Sequence, residues 1–363
     1  MLDSVRASRI ILPVLLGVGA VVYLFVRQAD ADEWAAIPWT GHTLLWVAIS
    51  LTLLVVRHLA YATRLYILSE RGFSFAKCIQ LIFIWEFSSA VSPTSIGGSA
   101  VALFVLSQER LSAARTATLV LYTVVLDTAF FVGTLPVLYL LLGPEMIRPG
   151  AASLGELSGW GVTFVVAYVA MAIYGAFFFW GLFVSPERIR GLLRWLSSWG
   201  WLRRFRENMT RLGDDIVVAS RHMWRQPLRW HLGAFLATVI AWSFRFLLLS
   251  CLFVAFTEVG RYWFAQTLLY GRLEAMFVII AFSPTPGGAC FVETLFKDFM
   301  TDFVGGNTTS ALVIATIWRT FTYYAYLVAG VVVIPAWLRG VLQRRARKKA
   351  AAREAQRVEV EAV

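Results

Sequence analysis

Residues 92–100 read "SPTSIGGSA", and they interrupt an apolar run that would otherwise continue from Ile79 past Val101. The pattern returns at 283–291 as "SPTPGGACF", again between apolar segments. Proline removes a backbone donor and turns the preceding residue away from helix, while glycine adopts turns closed to other residues. A helix interrupted in this way leaves peptide groups unpaired, so in a membrane the two tips must be buried in protein or line a polar cavity.

The rest of the chain makes the membrane the expected setting. Hydrophobic residues make up 59% and charged residues 15%, against roughly 45–50% and 25% in ordinary soluble domains, and the mean hydropathy is +0.68. A spanning helix needs about 20 mostly apolar residues, and such runs occur at 10–27, 43–68, 115–142, 160–184, 230–256 and 309–338. Segments 77–106 and 262–304 carry the breaks. The first run follows Arg6 and Arg9 and exceeds the usual signal-peptide core, so it reads as a retained anchor despite "ADA" at 29–31. Cys78, Cys251 and Cys290 show no paired spacing and read as small buried hydrophobes.

The net charge of +11 is unevenly distributed. Ten arginines fall between 185 and 229, and the tail from Arg339 carries Arg344, Arg345, Arg347, Lys348 and Lys349, which places both stretches on the cytoplasmic side. The connections 28–42 and 143–159 hold Asp30, Asp32, Glu33, Glu145 and Glu156 against Arg148 and read as external. Trp195, Trp199 and Trp201 among the arginines suggest a helix on the inner leaflet, attracted by anionic lipid headgroups; the alternative is a solvated basic loop. Nucleic acid is not an expected partner.

Parity then decides the fold. With a cytoplasmic N-terminus, 77–106 starts and ends inside, and 262–304 starts and ends outside. The expectation is an all-α polytopic membrane protein: an inverted repeat with about six full spanning helices plus two opposed re-entrant helical hairpins. Its parts are a first half, 1–184, a basic amphipathic stretch, 185–229, a second half, 230–338, and a basic tail, 339–363. Interrupted helices in corresponding positions of two inverted halves mark the binding site in secondary transporters. Two ordinary proline-kinked spans are the alternative, but they would put one basic stretch outside.

Ionisable residues cluster near the breaks. Arg57 and Arg64 precede the first hairpin and Arg245 the second, Glu86 and Glu274 lie in the descending arms, and Asp127 and Arg319 sit in the spans that follow. Glu293 lies just past the second glycine pair. Arginine suits phosphate because its planar fork donates two hydrogen bonds at once, and the carboxylates would neutralise the arginines or bind a coupling proton. The candidate substrate-binding set is Arg64, Glu86, Ser92, Pro93, Thr94, Gly97, Gly98, Asp127, Arg245, Glu274, Ser283, Pro284, Thr285, Pro286, Gly287, Gly288, Glu293 and Arg319. For each charge a structural role competes: Arg57 and Arg64 reaching the inner interface, His58 packed rather than liganding, Asp127 holding helices together, Arg319 paired with Asp127 or Glu293. No phosphate loop, zinc motif or nucleophile elbow occurs, and Asp214 and Asp215 read as balancing nearby arginines, so no enzyme activity, cofactor or metal is expected.

The stretch "SPTSIGGSAVALFVLSQERLSAARTATLVLYTVVLD" at 92–127, "SPTPGGACFVETLF" at 283–296 and Trp318-Arg319 together resemble the transmembrane region of lysylphosphatidylglycerol synthases and the stand-alone flippase-like proteins related to it. The resemblance covers nearly the whole chain; Cys290 departs from it, standing where the family's "PGGxG" pattern has glycine. It implies lipid translocation, since in the lysyl-lipid members this region moves the modified phospholipid from inner to outer leaflet. With the chain ending in a short basic tail at Val363, the aminoacyl-transfer domain is expected to be absent. The expected function is a lipid flippase moving an anionic phospholipid or polyprenyl-phosphate-linked lipid, with a homo-oligomer left open. The alternatives are a membrane enzyme or enzyme subunit handling polyprenyl-linked sugars, and a non-transporting assembly or regulatory protein.

Overall fold

The computed structural model describes residues 35, 39–91, 102–109, 111–147, 150–151, 153, 159–199, 206–258, 262–283, 285, 288, 291–305 and 308–361. Every regular element among them is helical. In chain order these are α1 (Gly41–Leu68), α2 (Phe75–Val91), α3 (Ala113–Leu142), α4 (Trp160–Phe179), α5 (Pro186–Leu196), α6 (Arg206–Trp224), α7 (Leu228–Phe256), α8 (Trp263–Ile280), α9 (Phe291–Met300), α10 (Thr308–Arg319) and α11 (Ala325–Glu361). A short helical stretch at 102–107 precedes α3. Wider π turns at Trp180–Val184 and Thr320–Tyr324 extend α4 and join α10 to α11.

Five helices are long and apolar enough to cross a membrane: Gly41–Leu68, Ala113–Leu142, Trp160–Val184, Leu228–Phe256 and Thr309–Arg344. They coincide with five of the six expected spans, and the chain is a multi-pass membrane protein. The sixth expected span, 10–27, lies outside the described residues. The helix is also interrupted in the second marked segment, between α8 and α9, whereas residues 92–101 of the first lie outside the described residues.

Helices α1 and α7 pack against each other along their length and run antiparallel. Thr43 Oγ1 donates to the Ala255 carbonyl at 3.4 Å near one end, and Trp230 Nε1 donates to the Ile67 carbonyl at 2.9 Å near the other. Ala234, Thr238 and Ala241 of α7 are fully buried; small side chains let membrane helices approach closely. The same device recurs where α11 meets α2, because a Cβ on Gly330 would lie 2.1 Å from the Phe87 ring.

The bundle has two chemically distinct ends. At one, Glu70 pairs with Arg115 at 2.9 Å and with His222 at 3.1 Å. At this end Glu109 accepts from Lys77 (2.8 Å), from Trp337 Nε1 (2.7 Å) and from Arg344 (3.1 Å). Burial alone would raise the Glu109 carboxyl, but these donors outweigh it and hold the group below the usual carboxylate range. Lys77 and Glu109 flank the first interrupted segment, so its two ends meet. The basic helices α5 and α6 pack together at this end, where Asp214 accepts from Arg190 and Arg194 at 3.5 and 3.4 Å and Glu187 pairs with Arg221. These two arginines are the neighbours the sequence expected Asp214 to balance.

At the opposite end the fully buried Arg272 of α8 ties the second interrupted segment to the connection after α3. Its guanidinium donates to Asp302 at 2.6 Å, to the Phe299 carbonyl at 3.1 Å and to the Glu145 carbonyl and carboxylate at 3.2 Å. Cys78 and Cys251 are buried free thiols.

Replacing Gly330 by alanine is expected to lower stability by about 1–3 kcal/mol, the usual cost of overpacking, because the clash reaches the Cβ and Cγ of Phe87 rather than a flexible tip. Thermal unfolding in detergent measures it. Adding Phe87→Ala to Gly330→Ala should recover part of the loss, and a single variant melting like the wild type would contradict the close approach.

Candidate functional site

Within the bundle, Arg57, Tyr61 and Arg64 occupy one face of α1 at spacings of four and three residues, the spacing that stacks helical side chains. Both guanidinium groups lie against the Tyr61 ring, Arg57 at 5.1 Å and Arg64 at 4.8 Å from its centroid. Four further helices, α2, α3, α7 and α11, supply the partners. From α2, Glu86 accepts from Arg57 at 2.7 Å. From α11, the Tyr326 hydroxyl accepts from Arg57 at 3.1 Å and meets His58 Nδ1 at the same distance. From α3, Asp127 pairs with Arg64, and it also accepts from Trp242 Nε1 of α7 at 2.9 Å.

Arg57 is fully buried and Arg64 nearly so, so neither reaches toward an interface. His58 is a packed residue, with Nε2 3.2 Å from the Ile79 carbonyl and its ring over Phe83. An isolated buried charge costs several kcal/mol, which a partner with good geometry offsets. Arg57 and Arg64 each have one.

Arg245, on α7, differs. Its guanidinium lies 5.1 Å from the Trp242 ring and 4.9 Å from the Phe277 ring. Arg57, Glu86, Tyr61 and Tyr326 are its electrostatic neighbours. Among the described residues it forms no ion pair or hydrogen bond, and its Nε is buried without a partner. Three arginines (57, 64, 245) thus face two carboxylates (86, 127), an excess of one positive charge.

The other expected residues fall elsewhere. Arg319, at the end of α10, is buried with its guanidinium 4.4 Å over the Tyr323 ring; Asp127, one of its expected partners, is held by Arg64 instead. Glu274 of α8 contacts Thr134 of α3 and pairs with no arginine among the described residues. At the second tip, Ser283 and Thr285 hydroxyls lie 3.1 Å apart. Gly288 there adopts φ +69°, and a Cβ on it would meet Val292 at 2.5 Å, so this turn requires glycine. Ser92, Pro93, Thr94, Gly97, Gly98, Pro284, Pro286 and Gly287, together with the side chain of Glu293, lie outside the described residues.

Tyr61, Trp242 and Tyr326 were not among the sequence candidates. Tyr61 was legible as the residue between two arginines on one helical face, and Trp242 as the residue one turn before Arg245. Tyr326 carried no such signal.

Glu86→Gln is expected to destabilise the protein by about 3 kcal/mol, the scale for stripping one partner from a buried pair, because it leaves Arg57 uncompensated. Arg57→Met with Glu86→Gln should recover most of that. A double-mutant cycle on thermal unfolding reads the coupling, and additive losses would contradict the pair.

The family model described as "Lysylphosphatidylglycerol synthase TM region" matches residues 10–330. A "UPF0104 membrane protein" of Archaeoglobus fulgidus is 22% identical over 331 residues, covering 88% of this chain and 94% of that protein. No solved structure matches. With one model spanning the helices that carry Arg57, Glu86, Asp127 and Arg245, the chain belongs to the family of the lysylphosphatidylglycerol synthase transmembrane region.

Proposed function

We propose that this protein is a lipid transporter that moves an anionic phospholipid or polyprenyl-phosphate-linked lipid between leaflets, holding the headgroup phosphate at Arg245. The observation that carries the reading is the unmatched guanidinium: inside an apolar bundle, one positive charge stands beside two neutralised arginines with no counter-ion of its own among the described residues. A phosphodiester supplies that charge and the acceptors that the planar fork of arginine is built to meet. Membership in a membrane family named for lysylphosphatidylglycerol synthases is consistent with a lipid substrate.

In this reading the interrupted segments are opposed re-entrant hairpins of an inverted repeat. Its support is the Lys77–Glu109 contact at 2.8 Å, which joins the two ends of the first segment at the basic end of the bundle. The Arg272–Asp302 contact at 2.6 Å ties the close of the second segment to the middle of its first arm, α8, at the other end of the bundle. The basic end faces the cytoplasm by the excess of arginine in its connections. There, Leu192, Trp195 and Trp199 leave one exposed apolar face on and just past α5, suited to lie in the inner leaflet among anionic headgroups.

Sidedness is testable with single cysteines placed in a chain lacking its natural three. Ser107→Cys should label from the cytoplasmic side and Asp298→Cys from the external side; labelling of both from one side would overturn the opposed arrangement.

Arg245→Gln is expected to weaken binding of a phosphate-bearing lipid about tenfold or more. The charge-assisted bonds lost are worth roughly 1.5–3 kcal/mol, and about 1.4 kcal/mol is a factor of ten. Arg245→Lys should restore part of it. Because Arg245 has no ionic partner among the described residues, neither variant should lower the melting temperature as Glu86→Gln does. Lipid affinity unchanged in Arg245→Gln would remove the headgroup site.

A further inference from the structure

The second half of the bundle holds a carboxyl group that the headgroup site does not use. Glu274 is fully buried in α8, between Leu273, Ala275 and Met276, none of which is exposed. Among the described residues its Oε2 has no hydrogen-bond partner, and its Oε1 contacts only the Thr134 hydroxyl of α3. That hydroxyl also lies 2.7 Å from the Phe130 carbonyl one turn back on its own helix. A threonine hydroxyl has one proton. When that proton goes to the carbonyl, the contact with Glu274 closes as a hydrogen bond only if the carboxyl group supplies a proton of its own.

The charges around it offer no alternative neutralisation. On its own helix, Arg272 is committed to Asp302 and Glu145, the latter from the connection after α3. Arg245 of α7 lies over Phe277. On α3, Asp127 is paired with Arg64. On α9, Lys297 and Asp298 are exposed, and Asp298 accepts from Trp160 of α4. Two hydroxyls complete the surroundings: Tyr168 of α4, donating to the Val132 carbonyl at 3.2 Å, and Tyr270, 3.1 Å from the Ser243 hydroxyl of α7. No cation among the described residues pairs with Glu274. A carboxylate so placed would meet the full cost of an unpaired buried charge, which such groups avoid by neutralising.

We propose that Glu274 is a proton-binding site, carrying a proton in this conformation and releasing it when the space between α3 and α8 opens to water, so that one proton is linked to each conformational cycle. The ligand is the proton itself, and the transfer is between the carboxyl oxygen and solvent water, with no other bond changed. The link to lipid movement rests on the transport reading above; the proton site does not.

Infrared spectroscopy of the purified protein separates the two. At neutral pH the wild type should show the carbonyl stretch of a protonated carboxylic acid that Glu274→Gln lacks. Thr134→Val, which keeps the carboxyl group, should retain that band and shift it as the hydrogen bond is lost. Glu274→Gln, a neutral isostere, should melt close to the wild type, while Glu274→Lys should not. In proteoliposomes an imposed pH gradient should change the initial rate of lipid movement several-fold in the wild type and leave Glu274→Gln unresponsive. Absence of any Glu274-dependent protonated band at neutral pH overturns the site. The band together with gradient-insensitive lipid movement overturns the coupling alone, and the band with no lipid movement overturns the transport reading while the proton site stands.

Discussion

A guanidinium group in the middle of an apolar bundle has to be neutralised where it stands, and the Arg57–Glu86 ion pair meets that requirement here. It brings α1 and α2 together at 2.7 Å and, through the Tyr326 hydroxyl that Arg57 also donates to, adds α11. The Arg64–Asp127 pair, about two turns further along α1, joins α3 and, through Trp242, α7. One face of one helix therefore sets the relative positions of four others. The small-residue contact between α1 and α7 lets those two helices approach closely. Both pairs share the Tyr61 ring, so the polar centre is continuous rather than two isolated bridges.

This centre lies between two ends that differ in charge. The end that holds Glu109, Arg115, Arg344 and the helices α5 and α6 is rich in arginine, while the other is organised by one buried cation, Arg272, and two acidic partners. Membrane insertion reads such an imbalance. The same two ends carry the Lys77–Glu109 and Arg272–Asp302 contacts of the two marked segments.

Much of the fold was legible because spanning helices announce themselves by length and hydropathy, and because proline with paired glycines disfavours helix, as at 283–288, where α8 has ended. All five spans among the described residues lie within a few residues of the expected runs. The charged positions were legible for the same reason, since ionisable groups in apolar runs are rare. Their pairing was not. Sequence pointed Asp127 toward Arg319, and only the structure shows it paired with Arg64. Arg272 went unremarked because its partners Glu145 and Asp302 are 127 and 30 residues away and each looked like an ordinary connection residue. The π turn at Thr320–Tyr324 left no local signature, although a wide turn shifts the phase of the helix beyond it and so decides that Tyr326 faces Arg57.

Glu109 is a single carboxylate with donors from three places: the start of the first interrupted segment, the far part of the last helix, and that helix's basic extension. In mechanical terms it is a fulcrum. The arm α2 that rises from it has 17 residues, a length of about 25 Å at 1.5 Å per residue. A tilt of about 10° around that base displaces the far end of such an arm by about 4 Å, roughly half the usual distance between packed helix axes. A helix anchored at its base turns a small change there into a larger one at its far end, and Glu86, five residues from the end of α2, rides near the end of that lever.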